Sequence, residues 1–99
     1  MKTQQLYKKI GQYFENKPVR RVQVFGSYAR GEQGSDSDID LVLTFEQPIG
    51  LLTFSAYRLD LEKILGIPVD LTTENGISAL ALPFIKPDLT TIYEKRNRE

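Results

Sequence analysis

The sequence predicts an α/β (α+β) domain, a small mixed or antiparallel β-sheet backed by helices on one face. Three observations lead there. Apolar residues recur at helical spacing over 3–16 and 51–65. Short β-rich runs at 19–25, 38–45 and 67–72 alternate between apolar and polar side chains or carry branched residues. Glycine or proline stands at most of the junctions. The order helix, strand, helix, strand, helix, strand, helix is that of a layered domain, and 99 residues suffice for one hydrophobic core. The expectation is a single domain over 1–99.

Leu6, Ile10, Tyr13 and Phe14 form the apolar stripe of the first helix, and Asn16-Lys17-Pro18 ends it. Residues 19–25 follow as a strand, with Val22 and Val24 on one face and Gln23 and Phe25 on the other. Gly26 stops that strand, and Ser27 is placed to cap a short helix reaching about Gly31. Gly31 and Gly34 read as backbone devices in the polar turn that follows. Residues 38–45 are the clearest strand, with Ile39, Leu41, Leu43 and Phe45 on one face and Asp38, Asp40, Val42 and Thr44 on the other. Phe54, Tyr57, Leu61, Ile64 and Leu65 mark the long helix, and Gly66 is its stop. The third strand, 67–72, starts at a proline tolerated only near a strand start or on an edge. Residues 76–85 read as helical, broken by Pro83. Residues 89–93 fit an edge strand or a helical turn, and the basic end from Lys95 reads as frayed.

Composition narrows the chemistry. Thirteen basic and thirteen acidic residues cancel, which argues against a nucleic-acid groove, since phosphate binding draws on a surplus of Lys and Arg. Cysteine is absent, so neither a disulfide framework nor a thiolate metal site is available. Histidine is absent too, which removes the His-dependent nucleophile systems and the His zinc sites. Any catalysis must run on carboxylates, hydroxyls, amines and metal ions. Neither a secretory leader nor a run of about 18 apolar residues is visible, so the expected location is cytoplasmic.

The chemistry-bearing stretch is 26–40. Gly26-Ser27 sits at a strand-to-helix turn, where backbone N–H groups can meet phosphate oxygens. Ten residues later Asp38 and Asp40 project from one side of a strand, about 7 Å apart by strand rise. Two like charges that close are costly unless a cation or donors offset them. Asp70, between Val69 and Leu71, joins them if its strand pairs alongside. Three hard oxygen donors suit Mg²⁺ or Mn²⁺ and disfavour zinc. The competing reading makes these aspartates solvated strand ends or caps, and Gly26-Ser27 a plain turn. Arg30 can hold a phosphate or a surface carboxylate such as Glu32, and Asp36 reads as ordering the loop.

With Gly-Ser, ten residues, Asp-x-Asp and a later Val69-Asp70-Leu71, the chain resembles the nucleotidyltransferase superfamily of the DNA polymerase β type. It is most similar to the superfamily's single-domain members, the minimal nucleotidyltransferases (MNT). The run Gly26-Ser27-Tyr28-Ala29-Arg30-Gly31 is part of the likeness. The resemblance implies the nucleotidyltransferase fold and transfer of AMP from ATP to a hydroxyl, with release of pyrophosphate. It implies Asp38, Asp40 and Asp70 as catalytic residues and ligands of two Mg²⁺ ions, with Mn²⁺ as an alternative. Gly26, Ser27 and Arg30 would bind the nucleotide.

Minimal members resemble antitoxins paired with a HEPN-domain ribonuclease toxin. The acceptor hydroxyl is expected from a partner or from a second copy of this chain, and the resemblance implies a tyrosine of such a toxin in a hetero-oligomer; the neutral charge argues against nucleic acid, and no apolar run points to a membrane. The alternative is a non-catalytic antitoxin or nucleotide-binding module that neutralises its partner by contact. Leu52, Ala56 and Leu59, with Leu80, Leu82 and Phe84, could form the docking surface, although such residues are read first as core.

Overall fold

The computed structural model describes residues 2–96. In chain order the elements are α1 (Thr3–Phe14), β1 (Val19–Phe25), α2 (Gly26–Arg30), β2 (Ile39–Phe45), α3 (Leu51–Leu65), β3 (Val69–Thr73), α4 (Leu82–Ile85) and β4 (Thr90–Glu94). Short 3₁₀ turns at Glu74–Gly76 and Lys86–Asp88 flank α4. The strands form one mixed sheet in the order β3-β2-β1-β4. β1 runs antiparallel to β2 and β4, and β2 runs parallel to β3. A parallel pair needs a long crossover, which α3 supplies.

The core lies between one sheet face and the two long helices. Val22 and Val24 of β1 and Ile39, Leu41 and Leu43 of β2 are fully buried against it. α1 adds Leu6, Ile10 and Phe14, and α3 adds Tyr57, Leu61 and Leu65, one residue per turn along a single stripe. Each such side chain contributes about 1.5–3 kcal/mol by leaving water. Tyr13, Phe14 and Tyr57 meet edge to face, and Tyr13 Oη donates to Asp60 Oδ2 at 2.6 Å, joining the two helices. Burial and that carboxylate push the Tyr13 phenol well above its ordinary range. At Gly11 the ring of Tyr93 packs where a side chain would begin, which draws β4 close under α1.

Several local expectations are revised. α1 closes at Phe14 rather than at 16, and the third strand starts at Val69, after Pro68. Residues 76–85 are not one helix. Ser78 gathers a turn by accepting from the Ala81 and Leu82 amides, and Pro83 lies in the first turn of the four-residue α4. A proline there opens a helix rather than breaking it, because its missing N–H would be unpaired in any case. The tail forms the edge strand β4, so the helical-turn alternative falls. Of the end expected to fray, residues 97–99 lie outside the described residues, and Lys95 is held. Its amide donates to the Arg20 carbonyl at 2.8 Å, and its Nζ reaches Glu46 Oε1 at 2.6 Å and the Lys17 carbonyl at 2.9 Å.

The largest revision concerns apolar residues read first as core. Leu52 is 88 % exposed, Leu80 86 % and Phe84 83 %; Leu51, Ala56, Leu59 and Leu82 are exposed as well. α3 spends its inward stripe on Tyr57, Leu61 and Leu65, and the remaining leucines project outward. Conversely Val42, on the sheet face away from the long helices, is fully buried. The segment 74–89 folds over that face, and Ile77, Leu82 and Leu89 gather around Val42.

Candidate functional site

The site forms where β1 ends and β2 and β3 begin. Phe25 lies opposite Asp40 across the β1–β2 ladder, and Asp40 lies opposite Asp70 across the β2–β3 ladder. The Ile39 amide donates to the Pro68 carbonyl at 3.1 Å and fixes the starts of the two parallel strands together. Asp38 precedes β2 immediately, on the face of Asp40. Val69 and Leu71 turn into the core, which forces Asp70 outward between them.

Gly26 opens α2 with φ +75°, a left-handed conformation that costs any residue with a Cβ. A Cβ there would also land on Asp40 Oδ2. The glycine is thus required twice, once by the turn and once by the carboxylate resting against its Cα. Ser27 sits inside the first turn of α2 and is not its cap. The cap position is Phe25, and no side chain caps the helix. Gly31, at φ +71°, closes α2 as its amide and that of Glu32 return to the Tyr28 and Ser27 carbonyls.

Burial raises the Asp40 carboxyl above the ordinary carboxylate range. The charges of Asp70 and Asp38 add to the effect, and so does a hydrogen bond shared with Asp70; the Arg30 charge partly opposes it. Asp40 and Asp70 stand opposite each other across β2 and β3, and the charges of both Asp70 and Asp38 bear on Asp40. Among the described residues no three ligating side chains stand as a ready-made cage. The donor set nonetheless fits a hard divalent cation, with three carboxylates on one face, an excess of negative charge centred on Asp40, and no imidazole or thiol in the chain.

Arg30 is held by carboxylates, with Nε on Glu32 at 2.9 Å and an Nη on Asp88 at 2.6 Å. Asp88 went unnoticed in the sequence because 58 residues separate it from Arg30. Asp36 is exposed, and Ser37 orders the loop instead, its Oγ accepting from the Gly34 amide at 2.8 Å. Arg21 and Gln23 lie farther along the same sheet face, with Glu74 of the following 3₁₀ turn 3.6 Å from the Arg21 guanidinium. The alternation of Val22 and Val24 with Gln23 marks that face in the sequence.

Residues 5–96 match the model of the nucleotidyltransferase domain family. MJ1217 of Methanocaldococcus jannaschii, provisionally named a protein adenylyltransferase, is 40% identical over 75 residues, covering 76% of this chain and 74% of its own. The protein adenylyltransferase MntA of Thermococcus cleftensis is 43% identical over 61 residues, covering 62% of each chain. Among solved structures, a provisionally assigned minimal nucleotidyltransferase superposes with a TM-score of 0.77 at 32% identity, over 91% of this chain and 95% of that one. A solved structure of the tri-AMPylated HEPN toxin of Shewanella oneidensis in complex with its MNT antitoxin also shares the fold. That match has a TM-score of 0.72 at 17% identity, over 95% of this chain and 74% of that one. The mixed sheet and helices are those of the nucleotidyltransferase fold. No helix among the described residues is long and apolar enough to cross a membrane.

Proposed function

The chain belongs to the nucleotidyltransferase domain family, and we propose that it is a protein adenylyltransferase and antitoxin. In this reading it transfers AMP from ATP to a hydroxyl, a tyrosine, of a HEPN-domain toxin in the cytoplasm. Residues 1–99 act as one minimal nucleotidyltransferase domain. The observation that carries the proposal is the row Asp40–Asp70 beside Gly26, with Asp38 on the same face.

Ser27 Oγ and the turn amides donate to phosphate oxygens, and Gly26 lets the backbone come close. Asp38, Asp40 and Asp70 would hold two Mg²⁺ ions, with Mn²⁺ as the alternative; when bound, these ions offset phosphate charge and make the acceptor hydroxyl more acidic. Asp70, exposed at the rim, receives the hydroxyl proton. The hydroxyl oxygen bonds to the α-phosphorus as the bond to the bridging oxygen breaks, and pyrophosphate carries away the electron pair. Arg30 reaches phosphate only by exchanging Glu32 or Asp88 for it.

The test is incubation with α-labelled ATP, Mg²⁺ and the neighbouring HEPN protein. The partner should become labelled by the wild type and stay unlabelled with Asp38→Ala/Asp40→Ala. Equal labelling by that variant refutes the proposal. The exposed Leu80 and Phe84 favour a second reading, in which the chain masks its partner by contact with the active site idle. Loss of protection by an Asp38→Ala variant that still binds the partner would exclude it.

A further inference from the structure

The row that carries the site runs across the sheet, from one strand to the next. It starts at Phe25 and the Gly26 elbow, passes Asp40 on β2 and ends at Asp70 on β3. There the sheet stops, because β3 is an edge strand. The next place in the row, about 4.8 Å beyond Asp70, is where a further strand would lie.

The edge has backbone groups to offer such a strand. The Ile39 amide donates to the Pro68 carbonyl, so in this parallel register Asp70 and Thr72 pair with β2. Val69, Leu71 and Thr73 direct their backbone groups out of the sheet. Glu62 of α3 fills the first of these positions. Its Oε2 accepts from the Val69 amide at 3.0 Å, and Arg58 holds its Oε1 at 3.0 Å. A carboxylate oxygen thus stands where a neighbouring strand's carbonyl would. Farther along, the outward amides of Leu71 and Thr73 have no hydrogen-bond acceptor among the described residues. No proline, lysine or bulge within β3 blunts the edge.

At its Thr73 end the edge opens into an apolar cavity of about 460 Å³, lined by Phe45, Pro48, Ile49, Phe54 and Thr73 with Leu51 at the lip. Phe45 and Phe54 meet edge to face with ring centroids 6.3 Å apart, and Leu51 is 80 % exposed. Phe54 belongs to α3, so the cavity lies on the helix side of the sheet, the side to which Val69, Leu71 and Thr73 alternate.

We propose that the acceptor protein docks as an extended segment added to the β3 edge, with its hydroxyl-bearing residue opposite Asp70 and an apolar side chain three residues away in this cavity. The claim rests on the adenylyltransferase reading above and adds how the acceptor is held. Opposed residues of neighbouring strands share a face, with Cβ atoms about 4.5–5.5 Å apart. The acceptor side chain therefore starts beside Asp70, on the side away from Gly26. Triphosphate from the elbow and hydroxyl from the edge then reach the carboxylates from opposite ends of one row, as an in-line displacement needs. Alternation puts the residue three places away opposite Thr73 and on the helix side, where the cavity is. The other edge strand, β4, is separated from β2 by β1, so a segment added there lies on the wrong side of the row.

Residue-resolved hydrogen exchange of the full chain tests this, with Mg²⁺, α,β-methylene-ATP, which cannot release pyrophosphate, and the neighbouring HEPN protein in excess. The Leu71 and Thr73 amides should exchange about tenfold more slowly or better, while those of Asp70, Thr72 and β4 stay unchanged. Absence of that protection, or protection confined to β4 or to residues 80–84, overturns the inference. Kinetics give a second reading. Leu51→Asp, at an exposed position where an acid suits the first turn of α3, and Thr73→Pro, which removes an edge donor, should each raise KM for the acceptor about three- to tenfold. KM for ATP should not move, and Thr73→Ala, which keeps the amide, should match wild type. An acceptor KM unmoved in both Leu51→Asp and Thr73→Pro also overturns the inference. If wild type labels the partner while the edge stays unprotected, only the docking mode has failed. If wild type labels nothing, the adenylyltransferase reading and this inference fall together.

Discussion

Along β2 the inward residues Ile39, Leu41 and Leu43 are fully buried against the long helices. One step away on the opposite face, Asp40 carries a carboxylate that its burial and its neighbours' charges disfavour. The same backbone serves both, because successive side chains of a strand point to opposite sides. The apolar face stabilises the fold and tolerates the cost of the other. In the proposed function, the acidic face meets cation and phosphate on a scaffold that it does not help to stabilise.

That contrast can be broken from either side. The largest effect is expected at the acidic face, where Asp40→Asn should lower AMP transfer by about a thousandfold while the chain stays folded. Labelling rates beside far-ultraviolet circular dichroism check it. On the apolar face, Leu41→Ala should cost about 2–5 kcal/mol in denaturant unfolding, since the fully packed site cannot collapse around the cavity. Gly26→Ala couples the two faces. The left-handed φ alone costs about 1–2 kcal/mol, and the new Cβ must displace Asp40. Stability and transfer should therefore fall together, unlike in Asp40→Asn.

Proton linkage sharpens the comparison. Asp40 is raised above its unfolded value, so between those two values the folded chain holds more protons than the unfolded one. Stability should therefore decline as pH rises through that window and stay lower above it. Asp40→Asn should remove this part of the decline and be more stable than wild type near neutral pH in chelator. Added Mg²⁺ should raise the wild-type melting temperature and leave the variant nearly unmoved. The smallest effect is Lys95→Met, which removes a partly exposed ion pair to Glu46 and should cost no more than about 1 kcal/mol, with transfer unchanged.

Much of this was legible in the sequence. β1 and α3 were delimited by their own punctuation, Gly26 after β1 and Gly66 after α3, because a glycine stop is a local event. Asp38, Asp40 and Asp70 were named from spacing and from the apolar neighbours that turn Asp70 outward. The misreadings share a cause. Leu80 and Phe84 resemble core residues until the helix expected at 76–85 proves to be a turn and a four-residue helix. Lys95 looked frayed because its partners, Lys17 and Glu46, are far away in sequence.

Local pattern alone determined which residues alternate, where the chain bends, and that neither histidine nor cysteine is available to its chemistry. Only the tertiary structure decided that Asp40 faces Asp70, that Asp40 rests on Gly26, and that Arg30 lies between Glu32 and Asp88. It also roofed Val42 with the segment 74–89. Side-chain periodicity is set within a strand or a turn of helix. Strand register and the covering of a sheet face depend on contacts between residues tens of positions apart, whose closure no single stretch of sequence specifies.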